Sequence, residues 1–390
     1  MTPIDYEKMT EKVNSKELNK RSKVILIRAE EYIVENLYKK IGDAIDKLAG
    51  IRLFRKTGEK ILLRPNMLAP DEPERATTTH PVLVEAVARI LNDSGATVSC
   101  GDSPSLYDPV KTMKKTGIYE ACNKTGVKIA DFRNSEKVIS EKAVQNKVFS
   151  IAKGVLDSDG IISLPKLKTH GLTLLTGAIK NQFGCIPGPT KAGFHAKLET
   201  VDKFSQMLVD LTTIVNPRLY IMDGILAMEG NGPRRGNPIK ASVILVSDDP
   251  VAMDTVTAKL MCVSPEFVTP IVKGNESQLG NMNNIQIIGD PIEELAKKFM
   301  LPRFKGTFNR IPRPIRNLVK NALIAKPVID KNLCTKCYEC IRVCPTKPKS
   351  IKLTDENYPK HDYSTCIRCY CCQEVCPEGA ISLKIKIFSL

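Results

Sequence analysis

A cysteine pattern that occurs twice in the last fifth of the chain constrains folding more than any other feature. Each copy has the spacing CxxCxxCxxxCP, at Cys334, Cys337, Cys340 and Cys344 and again at Cys366, Cys369, Cys372 and Cys376. Zinc sites usually pair CxxC units across a longer spacer. A disulfide framework requires an oxidising compartment, and the opening segment lacks the apolar core of a signal peptide. The spacing therefore predicts iron-sulfur clusters.

The two copies together resemble a bacterial two-cluster ferredoxin over residues 328–385. In such ferredoxins the fourth cysteine of each run binds the other cluster. The resemblance implies two [4Fe-4S] clusters, the first on Cys334, Cys337, Cys340 and Cys376 and the second on Cys366, Cys369, Cys372 and Cys344. Cys371 is a ninth cysteine in this segment, either a small buried neighbour or an alternative ligand.

Length and charge indicate more than one unit. A chain of 390 residues exceeds one ordinary core. We predict an α/β domain over 1–302, with two lobes around a cleft as one possible arrangement, and a ferredoxin domain over 328–390. Between them, residues 303–327 form a basic, proline-rich linker, in which Arg303 to Lys326 carries seven basic and no acidic residues. It is a strut, or a strip that docks a partner or a membrane surface.

The composition also excludes some classes of protein. The net charge is +15, but aromatic residues are only 5% of the chain, which disfavours nucleic-acid binding. No apolar run approaches the eighteen residues that a transmembrane helix needs. Because low-potential clusters survive poorly with oxygen, we expect the cytoplasm of an anaerobe or facultative anaerobe.

Apolar runs and amphipathic segments alternate along the first 300 residues. Short apolar runs such as KILLRP, DGIISLPK and LYIMDG predict strands, whereas segments such as YIVENLYKKIGDAIDKLAG predict helices. This alternation predicts the α/β class, a mostly parallel sheet with helices on both faces, followed by a small α+β ferredoxin domain. One helix is expected near 109–122.

Ligands of such sheets bind at the carboxyl ends of the strands. Several polar residues directly follow predicted strands, among them Asn66, Asp102, Lys166 and Asp223. We therefore expect a binding site at this edge of the sheet.

The segment 160–198 contains no Asp or Glu but five lysines and two of the four histidines of the chain. Without local countercharge, such a segment is suited to a carboxylate or phosphate ligand. We expect the ligand to be bound by Asn66, Lys166, Lys168, Lys180 and Asn181, with His170 beside it. Lys191 and Lys197 suit a solvated loop.

Two further side chains, together with His170, are candidates for proton transfer or covalent chemistry. Cys185 lies in a cationic surround, which favours a thiolate, although isolated cysteines are more often buried hydrophobes. His80 precedes a proline at a predicted helix start and is either a helix-entry contact or a proton donor. We predict catalytic roles for His170, Cys185 and His80, and a surface position for His361.

A glycine-rich loop at 229–238 carries two arginines. Arg234 and Arg235 could bind the anion, although a plain hairpin loop is as good an interpretation. The loop lacks both the Walker and the dinucleotide-binding patterns. Asp223 and Glu229 could pair with the lysines or hold a metal, and Asp254 could serve the same cleft.

The motifs RPNM, TTTHP, GDSPS, LPKLKTHGLTLLTGAIKNQFGCIPG, MDGILAMEGNGPRRGNP and DPVAMD resemble the domain of unknown function 362 family, in its form fused to a two-cluster ferredoxin. The resemblance covers nearly the whole α/β unit, and it implies architecture and site location rather than a reaction.

Two functions fit these features. The first is an iron-sulfur oxidoreductase that receives electrons from a redox partner protein or other donor and passes them to a small anionic ligand. The second is an electron-transfer or cofactor-maturation partner without turnover of its own. A non-redox enzyme with a structural ferredoxin is a third possibility. No flavin, molybdenum or nicotinamide motif is present, so any further cofactor or metal in the cleft is unassigned.

Overall fold

The structure, a computed structural model, describes residues 4–5, 21–56, 58–198, 200–302 and 325–384. The strands of the larger unit are β1 (Ile4–Asp5), β2 (Ser22–Arg28), β3 (Lys60–Pro65), β4 (Thr97–Cys100), β5 (Lys128–Ile129), β6 (Ser135–Ile139), β7 (Val148–Ala152), β8 (Gly160–Leu164), β9 (Lys166–His170), β10 (Leu174–Leu175), β11 (Leu219–Asn231), β12 (Arg235–Ser247) and β13 (Ile285–Gly289). Its helices are α1 (Val34–Leu48), α2 (Ile51–Phe54), α3 (Pro81–Asp93), α4 (Pro109–Lys115), α5 (Ile118–Thr125), α6 (Lys153–Leu156), α7 (Gly177–Asn181), α8 (Gly188–Lys197), α9 (Val201–Val215), α10 (Pro250–Leu260), α11 (Thr269–Glu276) and α12 (Ile292–Leu295).

A ten-stranded sheet forms the centre of this unit. Its order is β13-β2-β12-β11-β8-β3-β4-β5, with β9 beside β11 and β10 beside β9. Strands β11, β8, β3, β4 and β5 run parallel, and β12 is antiparallel to both of its neighbours. The carboxyl ends of the parallel strands therefore meet at one edge.

Helices cover both faces of the sheet, because each contributes an apolar face to one of two buried clusters. Helix α1 buries Leu37, Ile41 and Ile45, which recur at helical spacing. Helices α1, α3 and α5 share one cluster, and α7, α9, α10 and α11 share the other. The predicted α/β class, with a mostly parallel sheet and helices on both faces, is confirmed.

Some predicted elements differ in extent. The single helix expected near 109–122 is two helices, α4 and α5, separated at Gly117, whose φ of +75° a glycine adopts readily. Strands β11 and β12 extend beyond their apolar runs into a long hairpin, and the glycine-rich loop forms the hairpin's tip. A separate sheet of β1, β6 and β7 was not predicted.

The C-terminal unit consists of two similar halves. Its elements are β14 (Lys326–Ile329), α13 (Glu339–Val343), β15 (Ile351–Leu353), β16 (Pro359–His361), α14 (Cys371–Val375) and β17 (Ile381–Lys384). Strand β14 pairs with β17 and β15 with β16, in two antiparallel sheets. Most of the predicted linker, residues 303–324, lies outside the described residues. None of the described helices is long and apolar enough to cross a membrane.

Candidate functional site

Two cavities in the C-terminal unit are each lined by four cysteines. One, of about 330 Å³ including solvent at its mouth, is lined by Cys334, Cys337, Cys340 and Cys376, and the other, of about 310 Å³ on the same measure, by Cys344, Cys366, Cys369 and Cys372. These are the two sets that the ferredoxin resemblance implies. Each set of thiols faces a common space large enough for a cubane cluster, so the residues present fit the cofactor. Their assignment as ligands stays a prediction.

Two residues near the second cysteine set are buried. His361, expected at the surface, is only 7% exposed, so that prediction is wrong. Its Nε2 atom lies 3.5 Å from Cys372 Sγ, and its ring stacks on Tyr363. Cys371 is also buried, with its Sγ 3.9 Å from the carbonyl oxygen of Cys369.

The tip of the β11–β12 hairpin holds the C-terminal unit against the α/β unit. Arg234 binds the Asp71 carboxylate through two nitrogens, at 2.8 and 2.7 Å, and donates to the carbonyl oxygen of Val375 at 3.0 Å. Arg235 donates to the carbonyl oxygen of Cys376. Tyr107 also donates to Val375 O, at 3.2 Å. Both arginines thus contact the ferredoxin unit, and the anion-binding role predicted for them stays a prediction.

A cleft of about 820 Å³, including solvent at its mouth, lies between the two units. Its α/β wall comes from the residues that follow β3 and β4 and from β9, α7 and α8. Its other wall includes Val343, Cys371, Glu374 and Val375 of helices α13 and α14. Candidate residues from the α/β unit therefore face the ferredoxin unit directly.

Three of the predicted ligand-binding residues form one hydrogen-bonded group at the floor of this cleft. The Asn66 amide accepts from Lys168 Nζ at 2.7 Å and donates to Asn181 Oδ1 at 2.9 Å. Lys168 also donates to the carbonyl oxygen of Thr77, at 2.6 Å. Burial, and then the charge of Lys180, hold the pKa of Lys168 well below its usual range.

Two more lysines line the cleft. Lys180 lies 5.9 Å from the Phe183 ring centroid, and the part of the chain that the structure describes offers its ammonium no hydrogen-bond acceptor. Lys191, expected in a solvated loop, is instead 8% exposed and donates to the carbonyl oxygen of Ser103. Burial lowers the pKa of Lys180 and lowers that of Lys191 to about 8. Lys197 is exposed, as expected.

His170 lies beside the cleft and contacts the ferredoxin unit. Its Nδ1 accepts the backbone N–H of Leu172 at 3.0 Å, which places the proton of the neutral ring on Nε2. That Nε2 atom lies 3.5 Å from Glu374 Oε1. Burial, and then the charge of Lys180, lower the pKa of His170 well below its usual value, so the ring is neutral.

Lys166 and His80 belong to a separate, closed group. Lys166 of β9 pairs with Asp223 of β11, and its Nζ lies 2.7 Å from Asp223 Oδ2. Both side chains are fully buried. Tyr32 donates to Asp223 Oδ1 at 2.7 Å and stacks on the His80 ring at 3.6 Å. His80 caps α3 by accepting from the N–H of Val82, and burial lowers its pKa to about 4. Neither Lys166 nor His80 lines the cleft.

Three other candidates have structural surroundings. Cys185 is buried in the core, and burial raises the pKa of its thiol to about 11, which does not suit a nucleophile. Asp254 accepts the N–H groups of Ala178 and Ile179 at the start of α7. Glu229 accepts the N–H of Met300. Among the described residues, no three His, Cys, Asp or Glu side chains are placed to hold a single metal ion.

Sequence reasoning missed the residues that face the lysines from the ferredoxin unit. Glu374 and Cys371 lie inside the second cysteine run, where only the extra cysteine was visible as a signal. Lys191 and His195 were within the acid-free segment, but nothing in the local pattern separated them from the exposed Lys197. Burial lowers the pKa of His195 to about 3, and its ring stacks on Phe204.

Comparisons with known proteins agree with this architecture. The model for the family described as "Domain of unknown function (DUF362)" matches residues 61–259, and that for a 4Fe-4S dicluster domain matches residues 326–377. A thylakoid-associated protein from Synechocystis sp. strain PCC 6803 is 29% identical over 306 residues, which is 77% of this chain and 94% of that protein.

Among solved structures, the lactate racemase apoprotein from Thermoanaerobacterium thermosaccharolyticum aligns with a TM-score of 0.38 and 13% identity. The alignment covers 65% of this chain and 58% of that one, so the chain spans less than two thirds of the racemase. The family assignment rests on the two family models. The chain belongs to the domain of unknown function 362 family and carries a 4Fe-4S iron-sulfur domain at its C-terminal end.

Proposed function

We propose that this protein is an iron-sulfur oxidoreductase that reduces a small anionic substrate in the cleft between its two units. One observation carries the proposal: the same cleft is lined by Lys168 and Lys180 of the α/β unit and by Cys371 and Glu374 of the ferredoxin unit. Two [4Fe-4S] clusters would supply single electrons in succession, which suits a two-electron reduction.

The order of electron transfer is inferred from which cysteine set contributes more neighbours to the cleft. Of the ferredoxin residues that line the cleft, Val343 and Cys371 directly precede Cys344 and Cys372 of the second set, whereas Val375 precedes Cys376 of the first. In the first set, Cys337 is exposed to solvent. An external redox partner therefore docks at the first set, and electrons leave from the second. Such exposed clusters suit a reducing, cytoplasmic environment.

The lysines bind the substrate, and the neutral residues orient it. Lys180 has no hydrogen-bond acceptor among the described residues, and Lys168 contributes an amino group that is already fixed by Asn66. His170, neutral and protonated at Nε2, contacts Glu374 at the ferredoxin side of the cleft and is positioned to pass a proton. The buried Lys166–Asp223 pair joins β9 to β11 and does not contact the substrate.

The test is reoxidation of the clusters by small anions. Anaerobically purified protein, with about eight irons and chemically reduced, is mixed with a panel of carboxylates and phosphate esters while the visible absorbance of the clusters is followed. We expect reoxidation to quicken with at least one anion, to saturate, and to slow at least tenfold in Lys180→Met. Lys197→Met, an exposed lysine of the same segment, is the matched control and should behave as wild type.

Indifference to the whole panel, together with faster reoxidation by a protein fraction, would refute substrate turnover. The alternative, an electron-transfer or cofactor-maturation partner of another protein, would then hold. An iron content near four per chain would show that only one [4Fe-4S] cluster is present, and the proposed electron path through two clusters would then be wrong.

A further inference from the structure

Basic side chains outnumber acidic ones among the described residues that line the cleft. Among the described residues that line it, the acidic side chains are Asp102 and Glu374. Asp102 is committed to a buried ion pair with Arg64 at 2.7 Å, and the lining residue Arg234 is committed to Asp71. These two pairs are neutral and contribute no free charge to a ligand.

Three lysines remain, and two of them donate hydrogen bonds to neutral oxygens. Lys168 is held by the Asn66 amide and the Thr77 carbonyl, and Lys191 by the Ser103 carbonyl. Lys180 has no hydrogen-bond acceptor among the described residues. Among the described residues that line the cleft, Glu374 is the carboxylate without an arginine partner, so basic side chains outnumber available acidic ones there.

One buried polar atom of the cleft lining lies without a partner among the described residues. Thr176 lines the cleft and is only 3% exposed, and no described residue forms a hydrogen bond with its Oγ1. Buried hydroxyl groups rarely remain unsatisfied, so Thr176 Oγ1 points to a bound molecule as the missing partner.

Lysines at three sides of the cleft require a ligand with more than one anionic end. Lys168 belongs to β9, Lys180 to α7 and Lys191 to α8, so the three lysines line the cleft from three elements. A single carboxylate can pair with only part of this set, and a basic group buried without a partner is costly. Two anionic groups on one small molecule, or one doubly ionised phosphate, can pair with more than one of these lysines at once.

We infer that the cleft binds a doubly charged small anion, a dicarboxylate or a phosphate monoester, through Lys168, Lys180, Lys191 and Thr176, with Glu374 of the ferredoxin unit limiting the charge it accepts. This inference rests on the proposed function, since it names the substrate class of the same site. It adds that the ferredoxin unit takes part in ligand selection as well as in electron supply.

Binding to the oxidised holoprotein, which cannot turn over, tests the inference. Isothermal titration with malonate, succinate and inorganic phosphate is compared with acetate and lactate at constant ionic strength. We expect the dianions that fit to bind at least tenfold more tightly than the monoanions. Lys180→Met should reduce this ratio at least fivefold, Glu374→Gln should raise dianion affinity, and Lys197→Met should change neither.

Equal affinity for monoanions and dianions in the wild-type protein would overturn the inference, and this comparison needs no variant to fold. Unchanged dianion affinity in a Glu374→Gln protein with full iron content would remove the ferredoxin unit from ligand selection. Tight dianion binding without cluster reoxidation would refute the proposed reductase but leave this inference intact. Reoxidation by a monoanion, without a preference for dianions, would support the proposed reductase and refute this inference.

Discussion

The Arg234–Asp71 pair is expected to connect the stability of the α/β unit with the docking of the ferredoxin unit. Arg234 and Asp71 side chains are 6% and 16% exposed, and hydrogen bonds from Arg234 hold the pKa of Asp71 below its usual value although burial acts to raise it. The same guanidinium donates to Tyr107 at 2.9 Å and to Val375 O at 3.0 Å. Arg234→Met removes all of these bonds while keeping an apolar stem of similar length.

Removing one partner of a buried ion pair costs about 3–5 kcal/mol, because the remaining charge is left unpaired. Asp71 keeps some access to water, so we expect the free energy of unfolding to fall by about 3 kcal/mol, roughly a hundredfold change in the equilibrium constant. In the double variant Asp71→Asn with Arg234→Met no charge is stranded. Its loss should be smaller than the sum of the two single losses by about 2 kcal/mol.

The assay is urea unfolding of the holoprotein, followed by far-UV circular dichroism and by cluster absorbance. Arg234→Met should lower the urea midpoint of both signals. Asp71→Asn, which keeps the bond from Arg234 to Val375, should lower the midpoint of the cluster absorbance less. Lys153→Met, in an exposed ion pair, is the control and should cost under about 0.5 kcal/mol. Additive losses in the double variant, or a cost below about 1 kcal/mol for Arg234→Met, would show that the pair is not the connection we describe.

Two further predictions concern Lys191 and the start of α7. The pKa of Lys191 is lowered from 10.5 to about 8 in the folded protein, so the unfolded chain binds more protons between these two pH values. The free energy of unfolding should therefore rise with pH across this window, by up to about 3 kcal/mol. Urea unfolding of Lys191→Met, measured at several pH values, should lack this part of the rise. Gly177→Ala should lower stability by about 3 kcal/mol in thermal unfolding, because Gly177 has a φ of +61° and a Cβ there would lie 2.4 Å from Asp254 Oδ1. The matched change Gly193→Ala, in a helix with open space around it, should be neutral or stabilising, and equal effects of the two substitutions would contradict this account.

Local patterns predicted the elements that organise the fold. Apolar runs placed β3, β8 and β11, because a strand buried on both faces must be apolar throughout. The His80-Pro81 pair marked the start of α3, since proline suits the first turn of a helix. These signals depend on neighbours in the chain, so they can be read without the tertiary structure.

The sequence did not predict in the same way which basic residues form buried pairs and which line the cleft. Lys166 and Lys168 are two positions apart on one strand, yet one closes a buried pair with Asp223 and the other reaches the cleft through Asn66. Lys191 and Lys197 lie in the same helix, and only one is buried. Which partner a lysine meets depends on strand register and helix packing, and both are set by contacts between distant segments.

The doubled cysteine pattern determined by itself that the chain carries iron-sulfur chemistry, because ligand spacing along a short segment fixes the cofactor that the segment can enclose. Only the tertiary structure decided where that chemistry is directed. Arg234, at the tip of a hairpin more than a hundred residues away in sequence, holds α14 so that Cys371 and Glu374 face the lysines of the α/β unit. Such a site depends on contacts between two units that are distant in sequence, and no local sequence signal records it.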